Sequence, residues 1–122
     1  MEYMFYKCNS LTELLLDFST KNVINMSGMF CKCYSLLELK ISYFETKNVI
    51  NMNKMFEGCK KIKELDLLRF NLENVTNMSY MFNEYQSLYH LKMSIFTEKV
   101  IDISGMFREC IKLKEFSDLS DL

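Results

Sequence analysis

The apolar residues of this chain fall in columns. The pair Met-Phe occurs at Met4-Phe5, Met29-Phe30, Met55-Phe56, Met81-Phe82 and Met106-Phe107, at steps of 25, 26, 26 and 25 residues. Four positions after each Met stands Cys8, Cys33, Cys59, Tyr85 or Cys110, and seven after stands Leu11, Leu36, Ile62, Leu88 or Leu113. Leu14, Leu39, Leu65, Leu91 and Phe116 follow, then Leu16, Ile41, Leu67 and Met93, a column that the fifth unit breaks with Asp118. Phe18, Phe44, Phe70 and Phe96 come next, then Val23, Val49, Val75 and Val100, and Met26, Met52, Met78 and Ile103 open the following units. Self-similarity at a period of about 20 to 50 residues marks a tandem array, in which each unit buries its apolar face against its neighbours.

Two periodicities alternate inside the unit. Leu-x-x-Leu-x-Leu ends in apolar residues two apart, which predicts a short strand with one face buried. Val49, Met52, Met55, Phe56 and Cys59 are spaced like one stripe of a helix. Asn25, Asn51, Asn77 and Asp102, or the Thr and Asn just upstream, stand where they can cap that helix by accepting backbone N–H bonds. Each unit therefore reads as a strand, a turn through the Phe and a short helix. Tandem units of that kind place their strands in parallel with the helices behind them. The expected fold class is α/β, a right-handed solenoid with one parallel sheet and a row of short helices on the opposite side.

Composition adds constraints rather than chemistry. The 122 residues fit one domain, contain no proline and only three glycines, and must build their turns from Asn, Asp, Ser and Thr. Fifteen Lys and Arg face sixteen Asp and Glu, for a net charge of −1, so no basic footprint for nucleic acid is expected. No apolar run is long enough to span a bilayer as a helix, and the opening MEYMFYKCNS has no basic region followed by an apolar stretch, so no signal peptide is visible.

The units FETKNVINMNKMFEGCKKIKELDLLRF and FNLENVTNMSYMFNEYQSLYHLKMSIF resemble the 26-residue repeat of BspA-like leucine-rich-repeat surface proteins. The resemblance covers essentially the whole chain, as one repeat domain of about five units over residues 1–122, read as a piece of a longer array. It implies cell-surface or secreted proteins that bind other macromolecules, often in adhesion, and it implies no catalytic residues. The chain departs from the pattern at Tyr85, at Ile103 and in its first and fourth units, each a residue short.

Four cysteines share one column and Cys31 is extra, making a Cys31-x-Cys33 pair. Free cysteine is a small apolar side chain, so a buried ladder is the favoured reading. A disulfide framework fits an odd count of five poorly, and zinc needs about four Cys or His ligands where this chain has a single histidine. Neither a metal nor a cofactor is expected.

With the Leu columns pointing inward, the strands turn outward Glu13, Glu38, Glu64, His90 and Glu115 in one column, and Leu15, Lys40, Asp66, Lys92 and Ser117 in the next. Strands about 4.8 Å apart would crowd the glutamates, and Lys40, Lys63, Lys92 and Lys114 are expected to relieve them. The face reads either as a solvated mixture of charges or as a partner-binding surface of Glu13, Glu38, Lys40, Glu64, Asp66, Tyr89, His90, Lys92 and Glu115. His90 has no positioned nucleophile near it in sequence, and no Gly-rich phosphate loop occurs. The sequons at Asn25, Asn74 and Asn77 coincide with the repeat's own turn residues.

The chain opens inside a unit, since Met1 stands to Met4 as Met26 stands to Met29, which raises the expectation of end-to-end self-association. The closing EFSDLSDL reads as a frayed strand or a rudimentary cap. The sequence thus predicts a non-enzymatic interaction module with a protein or glycan partner, which the resemblance places in surface adhesion. The alternative is an intracellular scaffold built from the same repeat. Cell-surface placement follows from the resemblance, and cytoplasmic placement from the free thiols and the absent signal.

Overall fold

The Met-Phe segments decide the architecture, and they are not helices. In a helix every N–H goes to the carbonyl four residues back. In residues 26–33 the N–H groups divide in two. Met29, Cys31 and Cys33 donate three residues back, to the carbonyls of Met26, Gly28 and Phe30 (3.2, 3.0 and 3.2 Å). Met26, Gly28, Phe30 and Lys32 donate into the next unit, to Asn51, Asn53, Met55 and Glu57 (2.9, 2.8, 2.9 and 2.6 Å). The same alternation recurs at Met52, Lys54, Phe56 and Gly58, and again at Met78, Tyr80, Phe82 and Glu84. The segment is a run of tight turns laced to its neighbour by every second amide.

Backbone angles enforce this. The residue before each Met and the residue three after it have positive φ: Tyr3 and Lys7, Gly28 and Lys32, Lys54 and Gly58, Tyr80 and Glu84, Gly105 and Glu109. A left-handed residue cannot continue a right-handed helix. At Gly28 and Gly105 glycine has a second use, because an added Cβ would collide with the rings of Tyr3 and Tyr80 from the preceding unit.

This computed structural model describes residues 1–94 and 98–117. The Phe96 of the aromatic column and residues 118–122 of the acidic C-terminal segment lie outside the described residues. Among the described residues there is no helix, so the expected row of helices is corrected to rows of turns. The apolar spacing misled because side chains at offsets of three and four line one side of this turned backbone as well as of a helix. The sequence pattern does not report where the N–H groups go.

The strands are where the Leu-x-Leu pattern places them: β1 Glu13–Leu15, β2 Glu38–Lys40, β3 Glu64–Asp66, β4 His90–Lys92 and β5 Glu115–Ser117. All pair in parallel, but in two small sheets rather than one: β1 with β2, and β3 with β4 and β5. The middle residue of each of the first four strands points inward, with Leu65 and Leu91 buried and Leu14 and Leu39 half-buried.

Ring stacks fill the interior. Phe5, Phe30, Phe56, Phe82 and Phe107 form one column, with centroids 5.5 to 5.7 Å apart and planes within 10°. Phe18, Phe44 and Phe70 form a second, at 6.4 and 6.3 Å. Met26, Met29, Met52, Met55 and Met81 are wholly buried beside them.

Polar side chains tie the units together where the sequence suggested helix caps. The Oδ1 atoms of Asn25, Asn51, Asn77 and Asp102 each accept the N–H two residues on, at 2.9 Å, and open a turn. Thr20 and Thr46 are buried. The Thr46 hydroxyl donates to the Asn71 carbonyl at 3.0 Å and accepts the Asn71 N–H at 2.8 Å, and Thr20 does the same with Glu45.

Two substitutions separate these contributions. Phe56→Ala should lower unfolding stability by about 3–5 kcal/mol through the cavity it leaves. Thr46→Val keeps the shape but removes both hydrogen bonds to the Asn71 backbone, and should cost about 1–3 kcal/mol. Chemical denaturation followed by tyrosine fluorescence checks both, and a Phe56→Ala loss below that of Thr46→Val would contradict the ranking.

Candidate functional site

Alternation along each strand turns residues flanking the inward leucine toward solvent. Glu13, Glu38, Lys40, Glu64, Asp66, Tyr89 and Glu115 are exposed, and His90 and Lys92 are half-buried. Parallel register places Glu13 beside Glu38 and Leu15 beside Lys40. It places His90 between Glu64 and Glu115, and Lys92 beside Asp66. The nine residues singled out in the sequence therefore share the outward face of the strands, but the face is divided. Glu13, Glu38 and Lys40 belong to one sheet, and Glu64, Asp66, His90, Lys92 and Glu115 to the other, with Tyr89 just before β4.

The side-chain contacts to the carboxylate column come from His90 and Tyr89. His90 Nδ1 lies 3.3 Å from Glu115 Oε2, and the Tyr89 hydroxyl donates to Glu115 Oε1 at 3.2 Å. The Glu115 charge and that hydrogen bond raise the Tyr89 phenol above its ordinary value. Lys40, Lys63, Lys92 and Lys114 make no ion pair among the described residues; the lysines that do are Lys54 with Glu57 and Lys60 with Glu84. Asp66 turns back to accept the Leu68 N–H at 3.0 Å.

The division of the face is a feature the sequence does not announce. The step from β2 to β3 is 26 residues, the same as from β3 to β4, which pair. A cleft of about 540 Å³ lies over this division, lined by Leu37, Glu38, Leu39, Lys40, Lys61, Lys63 and Glu64. Lys61 thereby joins Lys63 on the face, and no motif points to Lys61.

The cysteine column turns inward, away from this face. All five thiols are free. Cys33, Cys59 and Cys110 donate to the carbonyls of Phe5, Phe30 and Phe82 in the preceding unit, at 3.0, 3.3 and 2.9 Å. The column is thus a set of weak rungs as well as a filler of space. Cys31 points elsewhere, its Sγ 3.5 Å from Glu57 Oε2. Burial first, then the Glu57 charge, pushes the Cys31 thiol up to about 12. Burial pushes Cys33 and Cys110 up to about 11 and Cys59 well above its ordinary value. Tyr85 takes the cysteine position in the fourth unit, wholly buried, and its hydroxyl has no partner. Among the described residues no three His, Cys, Asp or Glu side chains come together as a metal site, and no helix is long and apolar enough to cross a membrane.

The family model described as "Mycoplasma protein of unknown function, DUF285" matches residues 1–120, and the chain belongs to that family. No curated protein and no solved structure matches it.

The thiols set an alkaline limit on stability. A thiol whose pKa is raised by folding keeps its proton where the unfolded chain has lost it, so its contribution is full below the unfolded value and disappears as pH rises through the folded one. Unfolding free energy should therefore fall from the ordinary thiol value of 9.0 towards about 11 to 12. Denaturant titrations across that range should show the fall, and Cys31→Ala should make it shallower. A fall of the same size in a chain with Cys31, Cys33 and Cys110 all replaced by Ala would contradict the assignment to thiols.

Proposed function

We propose, from the charged, exposed strand face and the resemblance to BspA-like repeats, that this chain is a non-catalytic interaction module whose outward strand face binds a protein or glycan partner. The finer reading of its architecture is a right-handed leucine-rich-repeat solenoid of BspA-like type. Support for the array comes from the repeating Leu-x-x-Leu-x-Leu and Asn-Met-x-x-Met-Phe segments and from hydrogen bonds that join positions 24 to 26 residues apart. Arrays of this kind bind through extended surfaces made of their variable positions.

The observation that carries the binding role is the contrast between the two sides of the strands. Inward positions repeat almost unchanged, as does the outward glutamate column, while two other outward columns differ from unit to unit: Leu15, Lys40, Asp66 and Lys92 in one, and Thr12, Leu37, Lys63, Tyr89 and Lys114 in the other. Packing demands nothing of these outward positions, so their mixture of charge, apolar surface and tyrosine is available for recognition. Surface adhesion is the role that the BspA-like resemblance favours. The five free thiols favour the second reading, an intracellular scaffold using the same face.

Immobilised full-length chain, challenged with a glycan array and with a cell-surface protein extract, should retain a saturable ligand. Tyr89→Ala combined with Lys92→Glu should weaken that ligand by about tenfold, the effect of losing roughly 1.4 kcal/mol of contact. A chain that captures nothing saturable from either source, or whose ligand ignores both substitutions, would remove the proposal.

A further inference from the structure

Columns that are buried in the middle of the row of units come to the surface at its two end faces. Met26, Met52 and Met78 are 0, 0 and 1% exposed, whereas Ile103, the next in their column, is 61% exposed. Met29, Met55 and Met81 are wholly buried, whereas Met4, which precedes them in their column, is 51% exposed. Ile103 lines a cleft of about 620 Å³ together with Met78, Val100, Ile101, Gly105 and Met106.

The inner steps show how one end face would receive the other. The Tyr80 N–H donates to the Ser104 carbonyl at 2.8 Å, and the Glu84 N–H to the Arg108 carbonyl at 3.0 Å. One unit on, the Gly105 and Glu109 N–H groups make no backbone hydrogen bond among the described residues. Neither do the carbonyls of Glu2 and Tyr6, which hold the Ser104 and Arg108 positions in the first unit. Donors stand at one end and acceptors at the other, in the same order along the segment.

The side chains at the two ends match as well. Consecutive members of a column touch: Cys31 Sγ lies 3.5 Å from Glu57, Asn83 donates to Glu57 at 2.8 Å, and Asn53 donates to the Ser79 hydroxyl at 2.7 Å. Continuing those columns from the fifth unit into the first unit of another copy sets Arg108 against the Tyr6 ring, Ser104 against the Glu2 carboxylate and Glu109 against Lys7. All six are exposed. Each pair attracts, as a cation over a ring, a hydroxyl donating to a carboxylate, and an ion pair. The last column runs Lys7, Lys32, Gly58, Glu84, Glu109, with like charges adjacent within the chain, and a second copy brings its opposite charges together.

We propose that this chain associates head to tail with a second copy of itself, the end face of its fifth unit receiving the first unit of the next copy. Met4 of that copy fills the cleft beside Ile103 and Met106. The contact joins two different surfaces, so it extends from copy to copy instead of closing as a symmetric pair. It lies apart from the outward strand face, and it sets the strand faces of successive copies in one row, which multiplies the contacts open to a repetitive partner.

Sedimentation velocity on the full chain should show a mass that grows with concentration past that of a dimer. Met4→Lys spoils one end and Ile103→Lys the other. Both side chains are more than half exposed, so each variant should keep the fold, which its circular dichroism spectrum checks. Each variant alone should stay monomeric where the parent chain assembles. An equimolar mixture of the two should form a one-to-one dimer and stop there, because each keeps the end that the other lacks. Glu109→Lys should weaken assembly about fivefold, and adding Lys7→Glu to the same chain should restore it. A parent chain that stays monomeric up to millimolar concentration, a mixture that stays monomeric, or single variants that assemble as the parent does would each overturn the proposal. Assembly abolished by Tyr89→Ala with Lys92→Glu would overturn it too, by placing the contact on the strand face.

Discussion

Everything in this chain depends on how the amides of the Met-Phe segments are shared. Each segment gives half of them to itself, in turns, and half to the next unit. The sharing is costly, because two residues per unit adopt positive φ and seven of the ten are not glycine. A left-handed non-glycine residue costs about 1 kcal/mol or more. Four cross-unit hydrogen bonds per step, each worth about 0.5–1.5 kcal/mol net, offset that strain with little to spare. The surplus comes from apolar burial. Each of the three central units packs a phenylalanine ring and two methionines out of water, and a buried side chain of that size contributes about 1.5–3 kcal/mol.

This division of labour explains why the repeated residues say little about a ligand. Met, Phe, Cys, Val and the inward Leu are fixed by packing, and Asn, Thr and the residues at positive φ by the turns that let the units approach. The cysteines belong to the same scheme: a thiol is small enough for the column and donates to the phenylalanine carbonyl behind it. What escapes the repeat is the part of the outward strand face that flanks the glutamate column, where residues differ from unit to unit.

The sequence made the strands legible and the segments between them illegible, for one physical reason. A strand's pattern is read from side chains alone, since alternation fixes which residues are buried, and Leu14, Leu39, Leu65 and Leu91 fell where expected. A helix and a run of alternating turns bury similar stripes, so Val49, Met52, Met55 and Phe56 could not distinguish them. The backbone could, and its clues were present: Gly28, Gly58 and Gly105 sit at positions that require positive φ, and the cap-like Asn recurs without the acidic first turn that a helix prefers. The outward residues of the candidate face were also legible, down to the place of His90 in the glutamate column. The break between β2 and β3 was not, because the repeat runs through it with no change in length.

The cross-unit lacing can be observed directly by scalar coupling through hydrogen bonds in a uniformly ¹³C,¹⁵N-labelled chain. The Phe56 amide nitrogen should couple to the carbonyl carbon of Met81, one unit on, across the 3.0 Å hydrogen bond seen here. Coupling from Phe56 to the carbonyl of Met52, four residues back, would mean a helix, and the shared-amide architecture would be wrong.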